Sequence, residues 1–72
     1  MHLEILERPN RPIEACYGDQ IVGTIRNDPG FGWRFHFHCH SWDGFNPRYA
    51  QRLKSMISDK IKVLEVTQRL KG

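Results

Sequence analysis

Three histidines alternate along one short segment, at His36, His38 and His40. Alternate residues of an extended strand point to the same face and stand about 6.8 Å apart, so the three imidazoles can converge on a metal ion such as zinc. We expect no Asp or Glu on that face to orient the rings, as a metal site normally requires. The pattern therefore favours a solvated polar face without a cofactor, and a zinc site at the histidine row is the alternative.

The segment from Trp33 to Trp42 has two chemically different sides. Alternation places Trp33, Phe35, Phe37 and Cys39 on an apolar side, and Arg34, the three histidines and Trp42 on a basic side. Arg26 of the preceding extended run, with Val22 and Thr24, is expected on the basic side as well. Such a surface suits phosphate contact and base readout by a sheet. The predicted nucleic-acid-binding residues are Arg26, Arg34, His36, His38, His40 and Trp42, extended along a following helix by Arg48 and Arg52.

The remaining residues offer little support for catalysis. Cys39 lies between His38 and His40, but adjacent strand residues point to opposite faces, so no Cys-His nucleophile pair forms within the strand. The sequence contains no phosphate-binding glycine loop and no Ser-His-Asp array. We therefore predict a binding protein and not an enzyme.

Length and composition limit the architecture that can present these residues. The chain has 72 residues, of which 39% are hydrophobic and 26% charged, which fits one small domain with a single core. A formal net charge of +3 favours anionic partners. Two cysteines and the absence of a signal segment predict a cytoplasmic protein. No apolar run approaches the roughly 18 residues of a membrane span, so we expect no membrane partner.

Turn residues divide the chain into elements. Residues 1–12 predict a short strand followed by a proline-rich connector. Residues 13–42 predict a three-stranded antiparallel meander, with a tight hairpin at Gly18-Asp19 and a second turn at residues 27–32. Asn46 and Pro47 predict the start of a helix over residues 46–59. Its apolar stripe of Tyr49, Leu53, Met56 and Ile57 would pack on the sheet.

Residues 60–72 fit two structures, a strand or a continuation of the helix. A helix from residue 47 to 70 would be about 36 Å long, which exceeds what a three-stranded sheet of this size covers. This favours a break near Asp59 and a fourth strand that pairs with the N-terminal one. The sequence thus predicts an α+β fold with a meander, a packed helix and a possible fourth strand near the C-terminus.

Two short motifs resemble a known family. Gly23-Thr24-Ile25-Arg26, then Gly32-Trp33-Arg34-Phe35, and Phe45 before a helix are similar to the arm-type DNA-binding domains of phage integrases, over about residues 22–58. The resemblance implies a three-stranded sheet that enters the major groove of DNA, with a helix packed behind it. It also implies DNA contacts by Arg26 and Arg34.

A protein partner is the alternative to nucleic acid. An exposed Trp42 and a loop residue, Phe31, are typical anchors of protein interfaces. The domain would then be a protein-interaction module, such as a small phage-type antagonist of a host enzyme. Exposed strands can also pair across a two-fold axis, so a dimer is possible.

Overall fold

A computed structural model describes residues 1–71 as one antiparallel sheet with one helix. The elements are β1 (Leu3–Leu6), β2 (Ile13–Tyr17), β3 (Gln20–Asp28), β4 (Gly32–Phe37) and α1 (Pro47–Lys71). The strands follow one another in the order β1-β2-β3-β4, and each neighbouring pair is antiparallel. The predicted α+β class, with a meander followed by a packed helix, is confirmed. Within residues 1–71, no helix combines the length and apolar character that crossing a membrane requires.

Glycines at positive φ close the β2–β3 and β3–β4 hairpins. Tyr17 pairs with Gln20 across the first, as Gly18-Asp19 predicts, and Gly18 has a φ of 62°. Positive φ at the first loop residue is the pattern of a type II′ turn. In the second hairpin the Phe31 N–H donates to the Asp28 carbonyl at 3.1 Å, and Gly30 has a φ of 82°. Proline followed by such a glycine gives a type II turn, which leaves Phe31 at the tip with 74% of its surface exposed.

The core lies between one face of the sheet and α1. Its buried members from the sheet are Ile13, Ala15, Val22 and Ile25, and those from the helix are Leu53 and Ile57. Val22 was expected beside Arg26, but a register shift between β2 and β3 places it in the core. A bulge of this kind reverses the side of the residues beyond it. Asn46 caps the helix, with its Oδ1 accepting the Arg48 N–H at 2.9 Å.

The fourth strand is the N-terminal segment β1, and residues 60–71 continue the helix. The break expected near Asp59 was therefore wrong, and residue 72 lies outside the described residues. The helix stays in contact with the sheet, since Leu64 packs against the core cluster and Gln68 accepts a hydrogen bond from Asn27 of β3. Val63, Val66 and Leu70 lie on its other side and are more than half exposed. Arg69 and Lys71 in its last turn complement the negative end of the helix dipole.

Candidate nucleic-acid interface

The sheet face opposite α1 carries the candidate site, and we call it the outer face. Ile25 and Phe35 pack toward the helix, so alternation turns their neighbours away from it. The register pairs Thr24 with His36, Arg26 with Arg34, and Asp28 with Gly32. β3 and β4 thus bring two predicted arginines and one predicted histidine to a single surface.

Arg26 and Arg34 lie directly opposite each other on neighbouring strands, and both are exposed. Like charges in this position are destabilising. Within residues 1–71, neither guanidinium forms a salt bridge to a carboxylate. Arg26 Nε donates instead to Thr24 Oγ1 at 3.1 Å, and the Arg34 guanidinium lies 5.4 Å from the centre of the Phe31 ring. The fold therefore holds two adjacent cations whose charge a bound anion would neutralise.

An acidic residue does lie on the outer face, which corrects one expectation. His36 Nε2 lies 2.8 Å from Asp28 Oδ2. The sequence placed Asp28 in a turn cluster, but β3 extends through it, so its side chain shares the face of Arg26. The carboxylate orients the imidazole and balances its charge when the ring is protonated. His36 consequently adds little unbalanced positive charge to the surface.

His38 and His40 lie beyond the end of β4, and both side chains are exposed. The His38 N–H still donates to the Val22 carbonyl at 2.8 Å, whereas His40 has left the strand. Among the described residues, no group of three or more His, Cys, Asp or Glu side chains is placed to hold a metal ion. The three imidazoles of the histidine row are therefore not brought together in the way the zinc alternative requires.

Trp42 lies on the helix side of the domain and not on the basic side. Its ring stacks on Phe37 with centroids 4.4 Å apart, and the Lys54 ammonium group lies 5.1 Å from its centroid. The alternation that predicted the opposite side ends with β4 at Phe37, because the chain then leaves the extended conformation. Trp42 packs against the core cluster together with Phe45.

Arg48 and Arg52 are exposed on α1. Since α1 covers the opposite face of the sheet, they do not extend the basic stripe of Arg26 and Arg34. The expected continuous track from sheet to helix was wrong. The two helix arginines have the same charge as the two sheet arginines but a different location, which makes them a matched control.

The outer face divides into two halves of different charge. On the β1–β2 half, Glu14 pairs with Arg8, and Glu4 lies 3.0 Å from His2. The arginines without carboxylate partners lie on the β3–β4 half. We define the hairpin patch as the two arginines and the side chains that their guanidinium groups contact, namely Thr24, Arg26, Phe31 and Arg34; the His36–Asp28 pair lies beside it. The sequence analysis named Phe31 as an anchor for a protein partner, and the Pro29-Gly30 turn presents its ring beside Arg34.

The two cysteines differ in burial, and this gives a chemical test of the fold. Burial, and then the nearby Glu4 and Glu14 carboxylates, raise the pKa of Cys16 above its ordinary value of 9.0. Because the thiolate is the reactive form, we expect iodoacetamide at pH 8 to modify half-buried Cys39 faster than buried Cys16. Mass spectrometry after timed quenching measures both rates. In concentrated urea the difference should disappear, and equal rates in the folded protein would contradict the placement of Cys16.

No protein-family model, curated protein or solved structure matches this chain.

Proposed function

We propose that this protein is a small, non-catalytic nucleic-acid-binding module that contacts phosphates through the hairpin patch. The observation that carries the proposal is the cross-strand pair of Arg26 and Arg34, which is exposed and has no carboxylate partner in residues 1–71. Folding places these like charges together at a cost. A bound polyanion neutralises this repulsion. Each phosphate contact also releases condensed counterions, which favours binding.

The chemistry of the patch suits a nucleic acid better than an isolated anion. Arginine presents a planar fork of donors that binds phosphate in a bidentate manner. Phe31, at the hairpin tip beside Arg34, offers an exposed aromatic ring that can contact a thymine methyl group in the major groove. The hairpin therefore carries two cations that can bind the phosphate backbone and one aromatic ring that can contact the bases.

Duplex DNA is the leading ligand. Arg26 and Arg34 project from the outer face on the β3–β4 side of the four-stranded sheet, where they can reach the phosphates that border a major groove about 12 Å wide. The similarity to the arm-type domains of phage integrases points to the same ligand, because those domains place a sheet in the major groove with a helix behind it. In this arrangement α1 lies away from the DNA.

The salt dependence of binding tests the proposal. Fluorescence anisotropy with a labelled mixed-sequence duplex should show binding that weakens steeply between about 50 and 200 mM salt. Two phosphate contacts alone predict a slope of about −1.8 in a plot of log K against log salt. A single-stranded RNA of matched sequence serves as the comparison ligand. If neither the DNA duplex nor the RNA binds at low salt, the proposal is overturned.

A protein-interaction module is the second candidate, and the exposed end of α1 favours it. Val63, Val66 and Leu70 recur at helical spacing and are each more than half exposed. A partner protein that covers this stripe would bind with little sensitivity to salt. Salt-insensitive capture of one partner, lost when Val66 is replaced by Glu, would support this alternative over nucleic acid.

A further inference from the structure

β4 is an edge strand of the sheet with one side unoccupied among residues 1–71. The His38 N–H donates to Val22 of β3, and backbone groups of an antiparallel strand alternate in direction. His36 and Arg34 therefore direct their backbone groups toward β3. The N–H and C=O groups of Trp33, Phe35 and Phe37 point to the open edge, where they are available to another strand.

Most of the usual protections of an edge strand are missing from β4, whose one charged protection, Arg34, lies on the outer face. Natural edges are blunted by proline, lysine, a bulge or very short length. β4 has six residues, none of them proline or lysine, and pairs with β3 without a register shift. By contrast, the other edge strand, β1, has only four residues. Of the two edge strands, β4 is therefore the one better suited to pair with a strand of another molecule.

An aromatic groove of about 400 Å³ runs beside this edge, between β4 and α1. Phe35, Phe37 and Trp42 line it from the sheet side. Lys54 lies at the Trp42 end, 5.1 Å from that ring, and Glu65 lies at the other end, near Trp33. Lys62 lines the helix side as well, so the groove has a lysine at the Trp42 end, a lysine and a glutamate toward the Trp33 end, and apolar side chains between them.

We propose that a second copy of this chain pairs with β4, antiparallel to it and about a two-fold axis at Phe35. In this register Phe35 faces Phe35 of the second copy, and Trp33 faces Phe37 of the second copy. All of these residues have outward backbone groups, so the pairing forms a regular ladder. The cross-strand neighbours on the groove side are all aromatic, and such pairs stabilise sheets. A strand that is complementary to itself in this way suits a two-fold dimer.

Lys54 and Glu65, at opposite ends of the groove, are placed to form a charge pair between two copies, which an unrelated peptide would not supply. The two-fold axis brings the Trp33 end of one groove to the Phe37 end of the other. Glu65 of the second copy then approaches Lys54, and the reciprocal contact forms as well. Within one chain these residues are eleven positions apart, or about 16.5 Å along the helix, so they do not bridge each other there.

The dimer would extend the proposed binding surface. Pairing of the two β4 strands makes one continuous eight-stranded sheet. Because both outer faces then lie on the same side, the two Arg26–Arg34 pairs flank the two-fold axis. The surface would thus present a doubled set of cations to an anionic partner.

A charge exchange tests the proposal. Sedimentation velocity over a range of protein concentrations should show a monomer–dimer equilibrium. Lys54→Glu and Glu65→Lys should each weaken dimerisation about tenfold, because each turns two symmetry-related attractions into repulsions. The double variant should restore it. The single changes shift net charge in opposite directions, so a general charge effect would not weaken both. Arg52→Glu, outside the groove, should leave the dimer unchanged.

Amide exchange checks the register independently of these variants. The Arg34 and His36 amides should be protected at all concentrations, whereas the Phe35 and Phe37 amides should gain protection only as the dimer forms. A protein that stays monomeric at millimolar concentration would overturn the proposal. A dimer that ignores both charge reversals, or whose Phe35 and Phe37 amides stay unprotected, would overturn it equally. Circular dichroism of each variant establishes that the monomer remains folded.

Discussion

Replacing Arg26 and Arg34 together by glutamine is expected to weaken duplex DNA binding at least tenfold, from a loss of about 1 kcal/mol or more at each charged contact. The same change should make the salt slope shallower by about 1.8, since each lost phosphate contact removes about 0.9. Both residues are exposed and neither forms a salt bridge in residues 1–71. Glutamine keeps most of the side-chain length, so the sheet should remain intact. Fluorescence anisotropy at several salt concentrations measures both quantities.

The control for this prediction is Arg48→Gln with Arg52→Gln. It removes the same charge from α1, which covers the other face of the sheet. Its salt slope should stay close to that of the unchanged protein. If the helix pair and the sheet pair reduced affinity and slope equally, binding would depend on net charge alone, and the hairpin patch would not be the interface.

Gly23→Ala should cause a large loss of stability. A Cβ at Gly23 would lie 2.5 Å from the His36 carbonyl oxygen and would also overlap the Phe35 ring. Overpacking of this kind typically costs about 1–3 kcal/mol, and more where backbone must move. A chain of this size has roughly 4–11 kcal/mol of stability in total. We therefore expect the Tm to fall by at least about 10 °C, as measured by thermal circular dichroism.

Gly44→Ala is the matched comparison for Gly23→Ala. It adds the same methyl group in a loop where no atom lies within 4 Å of the new Cβ. This substitution should change the Tm by no more than a few degrees. Similar losses at both positions would show that the methyl group at residue 23 does not meet Phe35 and the His36 carbonyl.

Local chemistry made the sheet predictable from the sequence. The Gly18-Asp19 turn and the alternation from Trp33 to Phe37 each depend on residues close in the chain, and the structure contains both features. The opposition of Arg26 and Arg34 across β3 and β4 follows from the same alternation and the position of the turn between them. The parts of the candidate site that lie within regular strands were therefore accessible to sequence reasoning.

The remaining features depend on where regular structure ends. The position of Trp42 could not be derived, because alternation stops at Phe37 and the ring is placed by packing on that residue. The salt bridge of His36 with Asp28 required β3 to extend into the predicted turn. The length of α1 was underestimated because the nine-residue β3 keeps contact with the helix as far as Gln68. The side of Trp42, the extent of β3 and the length of α1 are all set by tertiary contacts, which the local sequence pattern does not specify.

The most direct test of the central claim is a nuclear magnetic resonance titration of isotope-labelled protein with unlabelled duplex DNA at low salt. Amide shift changes should concentrate on β3, β4 and the turn between them, with Arg26, Phe31 and Arg34 among the largest. Amides around Arg48 and Arg52 should stay unchanged. Shift changes centred on α1, or none at all at low salt, would contradict the assignment of the hairpin patch as a nucleic-acid interface.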